Sequence, residues 1–388
     1  MSKAERHIPV IIIGGGPVGL YMGILLADYN IPFRIFEKRS APNPHSRSIG
    51  IHPVSLNLFD ESGITDDFLQ QGLTIQRGHA FVNTKQVGTI SFTNLPGHHT
   101  YVLALPQYET EKILEQKLSN RKSGVLNRNA ELKTLREDDG RYHVTLNEGE
   151  TNKIYSCDYL IGCDGKNSLV RREMNINFQG EPYPDTYLMG DLDDTLTLGS
   201  DAAVYLHQQG VVESFPLPDH KRRWVVKTDH YIENPDSKIL SDYLKARLGI
   251  RTVDAEHYMV SSFGVQHYMA ERYVKNGAVL AGDAAHIVSP IGGQGMNLGW
   301  LDAYRLAKSL DAIINDNRNF QPTLSEYEDH QQRIAQKVAR RAAFNMWLGR
   351  KYNSVTLRKM LLHGMINTPI QNILARLFAM QNLQTWPL

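Results

Sequence analysis

Apolar runs that are followed by glycine or an acidic residue recur along the chain and predict buried β-strands. They lie at His7–Ile13, Phe33–Phe36, Asp158–Cys163 and Ala278–Ala281, and a helical pattern over Leu20–Tyr29 follows the first. Each run is short and almost continuously apolar, as expected for strands that are covered on both faces. Strands that alternate with helices in this order predict an α/β fold with a mostly parallel sheet.

Other parts of the chain have different patterns. Polar and apolar residues alternate through AAVYLHQQGVVESFPLP and RRWVVKTD, which predicts a mixed or antiparallel sheet. Toward the end of the chain the pattern is helical, with a broad apolar stripe flanked by Arg358, Lys359 and Arg376. Amphipathic helices are common in globular chains, so packing on the α/β domain is favoured over an interfacial membrane helix.

Composition and charge narrow the class of protein. The 388 residues include 42 basic and 41 acidic side chains, a balance that predicts no nucleic-acid partner. The two cysteines, Cys157 and Cys163, fall on one predicted strand about 20 Å apart, too far for a disulfide. Two such cysteines also predict no zinc site, and reduced thiols fit a cytoplasmic protein.

The uncharged stretch Val10–Ala27 has a second interpretation. By length it could span a membrane, and with Lys3 and Arg6 before it, it could be a signal peptide. The glycines in its middle argue against one continuous helix. A strand, a tight turn and a helix explain the same residues better.

Those glycines form a dinucleotide-binding pattern. Gly14, Gly16 and Gly19 are spaced as GxGxxG between the predicted strand and helix, and Glu37 ends the next strand. Gly14 permits the tight turn, Gly16 lets the backbone approach a pyrophosphate, and Gly19 allows close helix–strand packing. Glu37 can accept hydrogen bonds from a ribose and would repel a 2′-phosphate. The motif therefore predicts FAD or NAD rather than NADP, without deciding between the first two.

Two more strand ends carry similar chemistry. Asp164 and Gly165 form a tight turn after one strand, and Ser168 is placed to begin a helix. Asp283 follows another strand, after which a glycine cluster leads into a helix from about Met296. Ligands gather at the carboxyl ends of such strands, and a helix N-terminus favours an anionic group. An acid for a ribityl chain and a helix end for a reduced flavin ring together favour FAD.

The chain resembles the class A flavoprotein monooxygenases, which have the para-hydroxybenzoate hydroxylase fold and include the ubiquinone-pathway hydroxylases. The resemblance covers roughly residues 7–345 and rests on GGGPVG, CDGKNSLVR and GDAAHIVSPIGGQGMN in the family's order. It implies a Rossmann-like FAD-binding domain with an inserted mixed β-sheet substrate domain and C-terminal helices. The implied limits are 1–75, 101–178 and 274–320 for the FAD-binding domain, 76–100 and 179–273 for the substrate domain, and 321–388 for the C-terminal helical region.

The resemblance also implies roles for residues at matching positions. The residues expected to bind the cofactor are Gly14, Gly16, Gly19, Glu37, Lys38, Arg47, Gln107, Asp164, Gly165, Asp283, Pro290, Gly293, Gly295, Met296 and Asn297. Asp283 is expected at the ribityl chain, and Pro290 with the backbone up to Asn297 at the flavin ring. The candidates for catalysis are Arg47, Pro290 and His207. His207 is chosen because it lies on an alternating strand and has a near-neutral reference pKa, although an outward-facing histidine fits equally well.

The implied reaction is the hydroxylation of a phenolic or polycyclic aromatic small molecule. NADPH or NADH reduces non-covalently bound FAD, O₂ forms a C4a-hydroperoxyflavin, and the aromatic substrate attacks its distal oxygen. The pocket is expected between the inserted sheet and the flavin, where water must be excluded. A base or proton path is expected for a phenol substrate.

Other functions fit parts of the same pattern. An FAD-dependent reductase of the same fold stays open, as does a non-catalytic FAD-binding redox sensor, although the intact PIGGQGMN loop argues against the sensor. A halogenase is disfavoured because the expected two-tryptophan motif is absent and KRRWVVKTD has a single tryptophan. A plain NAD dehydrogenase would explain GGGPVG but not Asp283 and the glycine cluster.

Overall fold

The computed structural model describes residues 6–43, 48–149, 151–252, 259–381 and 383. The helices are α1 (Pro17–Asp28), α2 (Pro53–Glu61), α3 (Thr65–Gln71), α4 (Gln107–Arg121), α5 (Leu169–Glu173), α6 (Ser237–Leu248), α7 (Gly295–Ile314), α8 (Phe320–Gly349), α9 (Val355–Ile366) and α10 (Ile370–Phe378). A short 3₁₀ turn covers Gly282–Ala284. The strands are β1 (Arg6–His7), β2 (Val10–Ile13), β3 (Phe33–Glu37), β4 (Gly50–Ile51), β5 (Leu73–Ile75), β6 (Arg77–Val82), β7 (Lys85–Ser91), β8 (Val102–Ala104), β9 (Leu126–Arg128), β10 (Ala130–Asp138), β11 (Arg141–Glu148), β12 (Thr151–Cys157), β13 (Tyr159–Gly162), β14 (Phe178–Asp193), β15 (Ala202–Leu206), β16 (Val212–Leu217), β17 (Lys221–Thr228), β18 (Val260–Ala270), β19 (Val274–Lys275), β20 (Ala278–Leu280) and β21 (His286–Ile287).

A mostly parallel sheet forms the centre of the nucleotide-binding half. Its strand order is β19-β20-β13-β2-β3-β9, and only the β19–β20 pair within it is antiparallel. The four apolar runs of the sequence become its inner strands, buried because α1 packs on β2 and β3 while β10 and β11 lie against β3 and β13. The carboxyl ends of β2, β13 and β20 therefore meet at one edge of the sheet. This arrangement confirms the predicted α/β fold class.

A second, mixed sheet has the order β21-β18-β14-β17-β16-β15-β6-β7. Its pairs are antiparallel except β15–β6, which is parallel. The strands lie within 76–100 and 178–273 apart from β21, which pairs with β18 from the segment that follows β20. One face of this sheet packs on α6, and the other faces a cavity. The division into domains at the stated limits stays a prediction.

Two predicted strands are each divided. The prediction of one strand over His7–Ile13 is wrong, because β1 pairs with β12 in a separate sheet whereas β2 joins the parallel sheet. Pro9 lies between them and has no N–H to donate. The single strand predicted over both cysteines is likewise divided at Asp158, whose N–H donates to the Pro9 carbonyl. The chain therefore passes between the parallel sheet and the sheet of β1 and β12 at two adjacent points, Pro9 and Asp158. Both cysteines are free thiols.

The C-terminal helices do not pack as the sequence suggested. α9 and α10 lie against β7 of the mixed sheet rather than against the parallel sheet. Leu362, Ile366 and Leu374 are buried there, whereas Leu357 and Ile370 of the same stripe are exposed. Among the described residues, we find no helix with both the length and the apolar character needed to cross a bilayer.

Candidate functional site

One continuous cavity of ≈ 940 Å³ lies between the two sheets. At one end it meets the carboxyl edge of the parallel sheet, with Gly14, Glu37, Asp164 and Asp283 in its wall. At the other end it meets the apolar face of the mixed sheet and the inner sides of α9 and α10. Volumes of several hundred Å³ are typical of small-molecule and cofactor sites.

The glycine loop after β2 is shaped by close backbone contacts. Gly14 has φ +106°, and a Cβ there would lie 2.2 Å from the carbonyl oxygen of Cys163. A Cβ on Gly19 would lie 1.9 Å from the oxygen of Gly14. Gly16 differs, because it lines the cavity and a Cβ on it would have only Arg39 within 4 Å. Gly14 and Gly19 therefore build the loop, and Gly16 leaves its open side accessible to a phosphate.

Glu37 is held by the loop that it faces. Its Oε2 accepts from the backbone N–H of Gly15 at 2.7 Å, and its Oε1 accepts from Nε of Arg39 at 2.9 Å. Burial would raise the pKa of Glu37, but the bonds and charge of Arg39 lower it below the usual value. Oε1 also accepts from the backbone N–H of Arg39 at 2.9 Å, whereas Oε2 keeps a second lone pair that can accept a bond from a ribose hydroxyl.

The turn after β13 is tied to other loops by two side chains. Asp164 accepts from the N–H groups of Leu169 and Val170 with Oδ2, while its buried Oδ1 has no hydrogen-bond partner within the described residues. Burial raises the pKa of Asp164, and these bonds offset the effect in part. Arg171 donates to the carbonyls of Lys166 and Ala284 at 2.9 and 2.8 Å. The predicted Ser168 cap is present, since its hydroxyl accepts from the Arg171 N–H at 2.9 Å.

Behind Asp283 lies a fully buried ion pair. Nε2 of His286 is 2.6 Å from Oδ2 of Asp302, which also accepts from the Gly282 N–H at 2.8 Å. Burial alone would lower the pKa of His286, but the Asp302 carboxylate raises it overall. The side chain of Asp283 is exposed to the cavity, and desolvation by the surrounding protein raises its pKa. The pair thus fixes the loop that presents Asp283.

The glycine loop that contains Gly292 and Gly293 and precedes α7 is held against β4 by Asn297. The Asn297 oxygen accepts from the His52 N–H and the Ser55 hydroxyl, both at 2.8 Å. Its Nδ2 donates to the carbonyls of Gly50 and Gly293, both at 2.9 Å. Gly293 has φ +65° and lines the cavity just before α7 begins. The helix N-terminus is therefore presented to the cavity by backbone that glycine alone adopts readily.

His52 is a further residue at this loop. Its Nε2 donates to the Gly292 carbonyl at 3.1 Å, and its buried Nδ1 has no partner among the described residues. Burial lowers the pKa of His52 to about 4, so the imidazole is neutral at pH 7. An uncharged ring with an acceptor nitrogen therefore lies in the cavity wall.

The far end of the cavity is apolar apart from a few side chains. Glu213 on β16 is 8% exposed and lies between Val204 and Val225 of the neighbouring strands. Burial raises its pKa to about 7. Arg223, in the same wall, is paired with Asp191 at 2.6 and 2.7 Å. A carboxyl group that is half ionised near neutral pH therefore faces the space that a substrate would occupy.

The structure collects most of the sequence-predicted residues at this cavity. The predicted residues that line it are Gly14, Gly16, Glu37, Lys38, Gln107, Asp164, Gly165, Asp283, Pro290, Gly293, Gly295 and Met296. Gly19 and Asn297 support the wall from behind, as described above, and Asn297 has its whole amide engaged internally. Arg47 lies outside the described residues. Roles in binding and catalysis stay predictions for all of them.

His207 is placed differently from the expectation. β15 ends at Leu206, so His207 begins a turn, where its Nδ1 accepts from the Gln209 N–H at 3.2 Å. It is not among the described residues that line the cavity. Glu213 and His52 line the wall instead, and the sequence analysis missed both. A lone acid in the apolar run VVESFPL was a usable signal for Glu213, whereas nothing local indicated His52.

The comparisons with known proteins agree with this arrangement. A family model described as an FAD binding domain matches residues 7–342, and the chain belongs to that family. The rifampicin monooxygenase of Streptomyces venezuelae is 32% identical over 313 residues, which cover 79% of this chain and 64% of that relative. This chain therefore spans less than two thirds of the relative's length. The recognition of the FAD-dependent monooxygenase family and of FAD as the cofactor is confirmed.

Solved structures share the fold. The OxyS anhydrotetracycline hydroxylase from Streptomyces rimosus superposes with a TM-score of 0.82 at 26% identity, covering 97% of this chain and 76% of that one. The p-nitrophenol 4-monooxygenase PnpA from Pseudomonas putida DLL-E4 gives a TM-score of 0.87 at 19% identity, covering 97% and 98%. The latter likeness shows that the fold extends over nearly the whole chain.

Proposed function

We propose that this protein is an NAD(P)H-dependent flavin monooxygenase that hydroxylates an apolar, phenolic or polycyclic aromatic molecule. The continuity of the cavity carries the proposal, because one space joins the Gly16 loop, the Gly293 loop and the apolar wall around Glu213. A relative named for rifampicin and a fold neighbour named for anhydrotetracycline are consistent with a polycyclic substrate.

The residues present fit FAD. The open side of Gly16 and the carboxylate of Glu37 suit the ADP half, and Asp283 offers an acceptor for a polyol hydroxyl. The unpartnered Oδ1 of Asp164 is a buried acceptor that no group among the described residues satisfies. When FAD is bound, the chemistry it supplies is reduction by NAD(P)H and activation of O₂.

The chain's own residues would then hold charge and move a proton. The N-terminus of α7 favours negative charge close to Gly293 and Gly295, and this effect does not draw on His52, whose ring is neutral. Glu213, when ionised, can take the proton from a phenol hydroxyl, which leaves an electron-rich phenolate and a neutral carboxylic acid. The apolar walls around Glu213 keep water from the reacting atoms.

The test is consumption of NADPH and of NADH by the FAD-loaded protein in air. The panel holds phenols, quinone precursors and polyketide aromatics. One compound class should speed consumption well above background, yield a product with one added oxygen atom and release little H₂O₂. Reduction of a compound without oxygen would instead identify the reductase, and firm FAD binding with no NAD(P)H consumption at all would identify the sensor.

A further inference from the structure

The C-terminal part of the chain has an unusual charge. Residues 331–388 contain nine Lys and Arg and no Asp or Glu. The preceding 330 residues contain 33 basic and 41 acidic side chains, so they are net negative. The near-neutral total therefore hides a strongly basic segment, and this segment contains the end of α8 together with α9 and α10.

The same segment exposes large apolar side chains. Phe344 and Trp347 lie on one side of α8 with Arg340, at helical spacing, and their rings stack at 5.9 Å. On α9, Leu357 and Met360 are each 68% exposed. Trp347 is 51% exposed, although tryptophan side chains are on average largely buried in folded proteins. We call Phe344, Trp347, Leu357, Met360 and Leu361 the apolar patch.

Basic residues connect and border the patch. The Arg358 guanidinium lies 5.6 Å from the centre of the Trp347 ring, which joins α9 to α8. Lys359 follows directly, and Arg340 and Arg376 are exposed. Acidic groups that meet this segment are already paired, since Arg350 binds Asp185 and Lys351 binds Asp229. The border of the patch is therefore positive.

We propose that the apolar patch and its basic border dock on the surface of an anionic phospholipid bilayer. Apolar and aromatic side chains enter the boundary between headgroups and acyl chains, while arginine and lysine bind the lipid phosphates. A second copy of this chain is a poorer occupant, because a two-fold contact would bring Arg358 and Lys359 of both copies together. The docking itself does not depend on the proposed function.

The inner face of α9 connects the proposed docking surface with the cavity. Leu362, Met365 and Ile366 of α9 line the cavity, on the opposite side of the helix from Leu357 and Met360. One helix thus separates the cavity from the proposed membrane surface. A substrate dissolved in the bilayer would meet the enzyme at the wall of its own binding site.

The test is co-sedimentation of the FAD-loaded protein with lipid vesicles. Vesicles of phosphatidylcholine with phosphatidylglycerol should bind the protein, and vesicles of phosphatidylcholine alone should bind it weakly. The double variant Leu357→Ser, Met360→Ser should bind at least about tenfold more weakly. Ile154→Ser is the matched control, because Ile154 is 51% exposed on β12 and lies outside the patch. FAD content and thermal unfolding should be unchanged in both variants.

A charge variant and the oligomeric state complete the test. Lys359→Glu should also weaken binding to the anionic vesicles, and 0.5 M salt, about a 4 Å screening length, should weaken it in the wild type. Absence of binding to anionic vesicles, or equal binding by the double variant, would overturn the proposal. So would a wild-type dimer that Leu357→Ser, Met360→Ser converts to a monomer, because the patch would then bind a second copy. Loss of NAD(P)H consumption in these variants would bear on the proposed function and not on docking.

Discussion

Arg171 and Ala284 lie 113 residues apart in the chain and are joined by a hydrogen bond of 2.8 Å from Nη1 to the carbonyl oxygen. The bond ties the turn that holds Asp164 to the turn that holds Asp283. Both carboxylates lie in the cavity wall, so the buried guanidinium fixes their separation together with the pairing of β13 and β20.

Replacing Arg171 by Met should weaken FAD binding about tenfold or more. The variant loses two hydrogen bonds from a charged donor, and bonds of this kind contribute about 1.5–3 kcal/mol each. Titration of the apoprotein with FAD measures the effect. Arg136→Met is the control, because Arg136 lies on an exposed β-hairpin. Wild-type affinity in Arg171→Met would show that the guanidinium supports only local folding.

Alanine at the three glycines of the first loop should have different consequences. Gly14→Ala and Gly19→Ala should fail to give folded protein, because each Cβ would overlap a backbone oxygen at 2.2 or 1.9 Å. Gly16→Ala should fold with near wild-type stability but bind FAD on the order of tenfold more weakly, about 1.4 kcal/mol. Thermal unfolding and FAD titration separate the two effects. Normal FAD binding by Gly16→Ala would place the pyrophosphate elsewhere.

Asn297→Ala should lower the free energy of unfolding by about 2–4 kcal/mol, because buried partners at His52 and Gly293 lose their hydrogen bonds. Asn297→Asp should lower the free energy of unfolding by a smaller amount, since a carboxylate can accept from His52 but cannot donate to Gly293. Urea unfolding of the holoenzyme measures both. The same change at Asn147, whose side-chain hydrogen bond to Asn152 lies at the surface, should leave stability within about 0.5 kcal/mol of the wild type.

Glu213→Gln should lower the rate of the proposed hydroxylation about a hundredfold, the usual scale of general acid–base catalysis. The wild-type rate should rise as pH increases through about 7, where Glu213 ionises, and the variant rate should not. A rate that keeps its pH dependence in the variant would assign the proton transfer to another group.

The same substitution should raise stability at high pH. The pKa of Glu213 rises from about 4.5 to about 7 on folding, so its ionisation destabilises the folded protein as pH increases through that range. At pH 8 the cost reaches up to about 3 kcal/mol, and Glu213→Gln removes it. The variant should therefore unfold at a higher temperature than the wild type at pH 8 but not at pH 4. An equal difference at both pH values would contradict the assignment.

His52 should make the protein sensitive to acid. Its pKa falls from 6.5 to about 4 on folding, so its contribution to stability is complete above 6.5 and is lost as pH falls toward 4. His52→Gln should therefore lose less stability than the wild type between pH 6.5 and 4, measured by thermal unfolding. His98→Gln, at an exposed loop position, should behave as the wild type.

Local patterns were sufficient for the strand ends of the parallel sheet. The sequence is enough to recognise the spacing of Gly14, Gly16 and Gly19 and the acids Asp164 and Asp283. Short-range steric and hydrogen-bonding requirements select those residue types at the ends of strands. A chain in which strands and helices alternate has few ways to arrange them, so these strand ends meet at one edge. The fold class and most of the residues that line the nucleotide-binding end of the cavity follow from the sequence for this reason.

Other features were decided only in three dimensions. Alternation along β15 and β16 predicted a half-buried sheet but not which face meets the cavity, so His207 was chosen and Glu213 was overlooked. The side a residue faces depends on register and on where each strand ends, which neighbouring strands fix. The division of the strands at Pro9 and Asp158 likewise depends on bonds between residues far apart in the chain. Sequence windows report local preference, whereas buried pairs such as His286 and Asp302 form only when packing removes water from both partners.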